Sequence, residues 1–192
     1  MSQPPSPLLL VFGGLPGTGK TTLSRLLAAR LGAVYLRIDT IEQAMRAAGA
    51  ERIGPAGYAV ARAVAAGNLR LGLPVVADGV NPVRESRQAW RLVAGQESAR
   101  LVDIQLVCSD AAEHRRRVEG RVADIPGHVL PDWEAVLRHE YEPRDDEHLS
   151  LDTAGLAPAE LAARCEAHIR AIAGDEAFAL GVARQTAPSK MR

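Results

Sequence analysis

Residues 14–22 read GLPGTGKTT, a complete G-x-x-x-x-G-K-T pattern, and each position has a chemical task. Gly14, Gly17 and Gly19 admit backbone conformations closed to other residues. The loop running through Pro16 and Thr18 can therefore turn its N–H groups onto phosphate oxygens at the positive end of a following helix. Lys20 adds a mobile charge for the β- and γ-phosphates, Thr21 a hydroxyl for Mg²⁺, and Thr22 completes the binding run. An apolar stretch, 8–12, precedes the loop and a helix-like stretch, 20–31, follows it. That context predicts a nucleoside triphosphate site rather than a chance glycine turn.

Phosphoryl transfer asks for an acceptor hydroxyl in line and a carboxylate to take its proton. In an open parallel sheet such groups gather beyond the carboxyl ends of the strands. Asp39 follows the second apolar run and is expected as the base, with helix capping as the plain alternative. Asp78 follows the third and is expected to hold a Mg²⁺ water or the acceptor, the alternative being a turn residue before Gly79. Arg46, Asn81 and Arg84 join these two as candidates for binding a polar or anionic acceptor. Arg117 and Arg121 stand four apart in the run 114–121, HRRRVEGR, on one face of an expected helix. Planar guanidinium groups there can stack on a base and stabilise charge on a transferring phosphate. A solvated basic face is the competing reading.

These groups need a scaffold, and the chain alternates accordingly. Apolar runs at 8–12, 34–38, 74–77, 101–107 and 149–151 are expected strands. Stretches 20–31, 40–48, 56–71, 83–95, 110–120, 132–141 and 158–173 are expected helices. Short continuous apolar strands with helices between them predict a five-stranded parallel sheet, covered on both faces and joined by right-handed crossovers. Residues 120–131 follow the arginine run and end in DIPGHVLP; they are expected to form a lid hinged at Gly120 and Gly127. Residues 1–6 and 183–192 read as tails of one domain spanning 1–192. Asp152-Thr153-Ala154-Gly155 spells a GTPase switch motif, but it lies far beyond the phosphate loop and no N-K-x-D partner exists. A turn near the base is expected there. No histidine pair has metal-ligand spacing, and Trp90 and Trp133 are expected to pack.

The composition fits one soluble core: 192 residues, 47% hydrophobic, with 23 basic and 23 acidic side chains that cancel. A zero net charge gives no global attraction to nucleic acid or membrane, so neither is expected as a partner. Cys108 and Cys165 suit free core thiols in a reducing compartment. With no signal or membrane-span pattern, the expectation is a cytoplasmic monomer or homodimer acting on a small-molecule acceptor.

Taken together these residues resemble a family, the small P-loop kinases of the adenylate, shikimate and gluconate kinase type. GLPGTGKTTLSRLLAARLG is similar to their opening. Tyr35-Leu36-Arg37-Ile38-Asp39 resembles their second strand with its catalytic carboxylate, and Arg117-Val118-Glu119-Gly120-Arg121 the lid entrance of adenylate kinases. The resemblance spans roughly 8–173 and is strongest to predicted AAA-domain kinases grouped with chloramphenicol phosphotransferase and zeta-toxin-like proteins. It implies a P-loop NTPase three-layer α/β/α sandwich, nucleoside-monophosphate-kinase-like, with a helical lid. It implies ATP and Mg²⁺ as cofactors, Asp39 as base, Arg117 on the adenine, and Lys20 and Arg121 on the transferring phosphate. The chain departs from adenylate kinase in having no evident second nucleotide site, and from shikimate kinase in having Asp78-Gly79-Val80 where that enzyme has three glycines. The expected activity is ATP-dependent transfer to a hydroxyl; the alternatives are a P-loop ATPase or a nucleotide-dependent regulator. Ala77-Asp78-Gly79 lacks the glutamate by which an ATPase activates water.

Overall fold

In the computed structural model, which describes residues 6–174, the strand β1 (Leu8–Gly13) is buried along its whole length. Its side chains alternate between two cores, as a strand covered on both faces requires. Leu8, Leu10 and Phe12 join one core, and Leu9 and Val11 the other. The chain continues through α1 (Lys20–Leu31), β2 (Val34–Arg37), α2 (Ile38–Ala47), α3 (Ala56–Arg70), β3 (Val75–Asp78) and α4 (Arg84–Gln96). Then come β4 (Arg100–Val107), α5 (Ala111–Glu119), α6 (Trp133–Leu137), β5 (Leu149–Asp152) and α7 (Pro158–Ala173). The sheet order is β2-β3-β1-β4-β5, and every pair is parallel. α1 and α7 pack on one face, α3 and α4 on the other. This is the three-layer P-loop NTPase fold. From β1 the chain crosses past β3 to the edge strand β2, and from β3 it crosses back past β1 to β4, so a crevice opens beyond the carboxyl ends of β1 and β3.

Two segments differ from expectation. The helix expected over 132–141 stops at Leu137, because the residues after it are drawn to the segment before α4 and to β4. The Glu142 N–H donates to the Pro82 carbonyl (2.9 Å), and the buried Arg144 guanidinium donates to Asp103 on β4 at 2.6 and 3.0 Å. Asp103 is a charge inside an apolar strand, and this pairing offsets its desolvation. The segment expected as a helical lid is not helical: residues 121–132 are irregular, since Pro126 has no N–H to give and Gly127 has φ +75°. The expected tails fall almost wholly outside the described residues. Cys108 and Cys165 are both free, and Trp90 is buried in the core. Among the described residues no helix is long and apolar enough to cross a membrane.

Candidate functional site

The phosphate loop follows β1 and is pinned at three points. The Gly14 N–H donates to the Val80 carbonyl (3.0 Å), a ring nitrogen of the buried His114 bonds to the Pro16 carbonyl (2.8 Å), and the Thr153 hydroxyl donates to the Thr18 carbonyl (3.1 Å). Gly14 has φ +130°, and a Cβ there would overlap the Leu106 carbonyl oxygen, so only glycine fits. α1 begins at Lys20 with Gly19 as its N-cap residue and no side chain capping it. Its first-turn N–H groups are thus open to an anion.

Lys20 is buried, and its Nζ donates to the Leu15 carbonyl (2.8 Å). Burial lowers its pKa to about 8, against the opposite pull of Asp78 and Asp39; the Arg121 charge adds to the lowering. Asp78 ends β3, is 3% exposed, and accepts a hydrogen bond from the Tyr35 hydroxyl (2.7 Å). Asp39 is the second residue of α2. Arg37 occupies the N-cap position and no side chain caps this helix, so the capping alternative for Asp39 does not hold. Its carboxylate is partly exposed, 3.4 Å from an Arg37 nitrogen and 4.0 Å from His128 Nε2.

Lys20, Thr21, Asp39, Asp78, Arg117 and Arg121 all line one cavity of about 620 Å³, with Pro16, Gly17, Gly19 and Thr22 forming its loop side. Arg117 is held in place: its Nε donates to Glu113 (2.7 Å) and its two terminal nitrogens to the hydroxyl and carbonyl of Thr153 (both 2.9 Å). It also borders a smaller cavity of about 180 Å³ with Thr22, Leu156, Pro158 and Leu161. Arg121 lies beyond the end of α5 rather than on its face. Its side chain makes no hydrogen bond or ion pair within the described residues. The turn after β5 is anchored by Asp152, which accepts from the Ser109 hydroxyl and N–H and from the Ala154 N–H.

Three expected acceptor contacts are not brought to this cavity. Arg46 lies on the outer side of α2, 3.5 Å from Glu42. Arg84 is exposed and pairs with Asp145 at 2.8 Å. Asn81 is buried, donating to the Phe12 carbonyl (2.8 Å) and accepting from the Trp90 indole (3.0 Å); a buried indole N–H needs such an acceptor. Instead Glu42, Tyr58, His128 and His139 line the cavity. Glu42 was within reach of sequence reasoning, being three residues after Asp39 on one helix face. The segment expected as a lid is docked: Asp124 accepts from Arg25 (2.6 Å) and from Arg37 (2.8 and 2.9 Å), and Gly127 packs on Gln43 of α2.

A family model described as an AAA domain matches residues 9–140. Among solved structures, an inferred kinase from Chloroflexus aurantiacus is 22% identical with a TM-score of 0.70, over 88% of this chain and all of its own. A gluconokinase from Sinorhizobium meliloti is 20% identical with a TM-score of 0.62, over 92% of this chain and 99% of its own. The APS kinase of Mycobacterium tuberculosis, in complex with AMPPNP and APS, is 19% identical with a TM-score of 0.62, over 84% and 96%. At these identities the likeness is one of fold. No curated protein matches the sequence. Matched by the family model over well more than half its length, the chain belongs to the AAA domain family and has the fold of the small P-loop kinases.

Proposed function

We propose that this protein transfers the γ-phosphate of ATP to a hydroxyl of a small polar molecule. The carrying observation is that a phosphate loop with its lysine, two carboxylates from the ends of neighbouring strands, and an unpartnered arginine share one cavity. The solved neighbours named as kinases support the reading. The triphosphate would lie along the loop with its β- and γ-groups at Lys20. The adenine would enter the smaller cavity, where Arg117 presents a planar guanidinium opposite Leu156 and Pro158.

The donors for Mg²⁺ fit: Thr21 offers a hydroxyl, and Asp78 a buried carboxylate that lines the same cavity, with one oxygen bonded to Tyr35. The ion, when bound, neutralises charge on the phosphates. Asp39 then accepts the proton of the acceptor hydroxyl, being more exposed than Asp78 and set on the open wall. Arg121 meets the charge that spreads over the transferring group, and the segment 120–131 shuts water out. Asp78 is followed by Gly79 and not by a glutamate, which disfavours water as the acceptor.

The test is acceptor dependence. Purified protein with MgATP should release ADP slowly alone and much faster with a hydroxyl compound that becomes phosphorylated. ADP release that is fast and indifferent to every added compound would instead establish an ATPase.

A further inference from the structure

Two aspartates are buried among the described residues, Asp78 and Asp103, and folding treats them differently. Asp103 takes hydrogen bonds from Arg91 and Arg144 on both its oxygens, so its charge is used up in holding the chain together. Asp78 lines the large cavity and, within the described residues, accepts one hydrogen bond, from the neutral Tyr35 hydroxyl to Oδ2 at 2.7 Å. Lys20 and Arg37 attract it without closing an ion pair. A buried carboxylate so thinly partnered costs free energy unless something else meets it. Its Oδ1 is the free atom, and it is not sealed. The sealed side-chain atoms without a partner, within the described residues, are Arg37 Nε, Arg87 Nε and Tyr141 Oη. Oδ1 is therefore open to the cavity.

Strand geometry places Tyr35 for this contact. Side chains alternate along β2, so Val34 and Leu36 pack on the α3 side of the sheet and Tyr35 on the α1 side. Tyr35 pairs in register with Val76, and Asp78, two residues further along β3, shares the face of Val76. The phenol ring packs against the first core, and the Arg25 guanidinium stands 6.0 Å from its centroid, which fixes the reach of the hydroxyl. We propose that Tyr35 is a positioning residue for the metal site: by holding Oδ2 it sets the rotation of the Asp78 carboxylate and keeps Oδ1 turned to the cavity, ready for Mg²⁺. This rests on the assignment of Thr21 and Asp78 to Mg²⁺ in the phosphotransferase reading above. Carboxylates that serve a metal are oriented by hydrogen bonds from behind, and losing such a bond lowers metal affinity about 10–100-fold. Phenylalanine fills the same space but leaves Asp78 free to turn. The plain alternative is a tyrosine hydroxyl that has merely found an acceptor.

The test uses the full chain and Tyr35→Phe, with no acceptor and no turnover. AMPPNP binding is measured by calorimetry in Mg²⁺ and again in EDTA, and Mn²⁺ is titrated into the protein–AMPPNP complex and followed by electron paramagnetic resonance. Tyr35→Phe should weaken Mn²⁺ binding about tenfold, and AMPPNP binding in Mg²⁺ with it, while metal-free AMPPNP binds as to the parent. The metal-free arm also shows that the variant is folded. In an Asp78→Asn background Tyr35→Phe should add no further loss, because the two residues act as one unit. Unchanged Mn²⁺ affinity, a loss of AMPPNP affinity equal with and without metal, or a further tenfold loss in Asp78→Asn would overturn the inference and leave Tyr35 a packing residue, with phosphoryl transfer still standing. Failure of phosphoryl transfer shows separately, as ADP release unaffected by any acceptor.

Discussion

Replacing Asp124 by asparagine removes the charge that docks the lid segment, and the structure sets the size of the effect. Asp124 meets Arg37, whose side chain is 3% exposed, and the exposed Arg25; its own side chain is 40% exposed. The Arg37 hydrogen bond, with Arg25 adding, holds the Asp124 carboxyl down to about 2. Against an ordinary value near ~3.9 this is worth about 2.5 kcal/mol at face value. Solvent screening of a carboxylate so exposed reduces it to about 1–1.5 kcal/mol. Asparagine keeps one hydrogen bond but leaves the Arg37 charge facing Asp39 alone, at 3.4 Å, with its Nε already without a partner.

A carboxyl whose folded pKa is depressed stabilises fully above its unfolded pKa, and that contribution is lost as pH falls from about 4 toward 2. At pH 7 the variant should therefore melt roughly 2–6 °C lower, and the gap to the parent should narrow below pH 4. If the pair holds the segment locally, amides of 121–132 should exchange about tenfold faster in the variant, 1.4 kcal/mol being tenfold. Equal melting at pH 7 with unchanged exchange in 121–132 would refute the latch and reduce Asp124 to a surface pair.

Further outcomes follow from the same geometry. Asp39→Asn should lower acceptor phosphorylation by about 10²-fold or more, the scale of a positioned base, with MgATP affinity by calorimetry nearly unchanged; equal single-turnover rates would transfer the role to Asp78. Phosphate favours the charged form of Lys20, whose pKa is about 8 in the free protein. ATP binding at pH 8–9 should thus take up protons, and affinity should fall as pH rises through that range; calorimetry in buffers of different ionisation enthalpy measures the uptake, and none would contradict the assignment. Arg121→Ala should cost rate far more than ATP affinity, seen as a drop in kcat with little change in the nucleotide Kd. Asn81→Ala should destabilise by about 1–3 kcal/mol, because it strands the Trp90 N–H and leaves the Phe12 carbonyl only the Gly79 N–H; a urea melt reads this, and loss of acceptor affinity without loss of stability would restore Asn81 to the site.

The middle of the sheet was legible because its strands β1 and β3 are buried on both faces. Leu8 to Phe12 and Val75 to Ala77 need no alternation to be read, and every predicted strand lies within a residue or two of the observed one. The phosphate loop was legible because its geometry is local, set by glycines and one lysine in fixed spacing. The rest depends on partners distant in sequence. Nothing near Leu137 announces that the helix ends there; the reason is Asp103, which draws Arg144 across from the following segment. Arg46, Asn81 and Arg84 stand near strand ends in sequence, but helix phase and the demand of a buried indole turn them from the cavity. Glu42 owes its place to a glycine on another helix.

Arg37 is where the legible and illegible parts meet. It closes the second strand, a position that suggests only proximity to the site, yet one buried guanidinium touches Asp124 through one nitrogen and Asp39 through the other. The lid segment and the proposed base are therefore held by a single side chain. Any motion that withdraws Asp124 leaves Arg37 to re-pair, and the nearest remaining carboxylate is Asp39. A base drawn into a tighter ion pair is a weaker base. Opening of the segment would thus lower the reactivity of Asp39 at the moment water gains entry, and docking would restore it. With Asp39 as the base, such coupling would oppose wasteful hydrolysis without a separate gate.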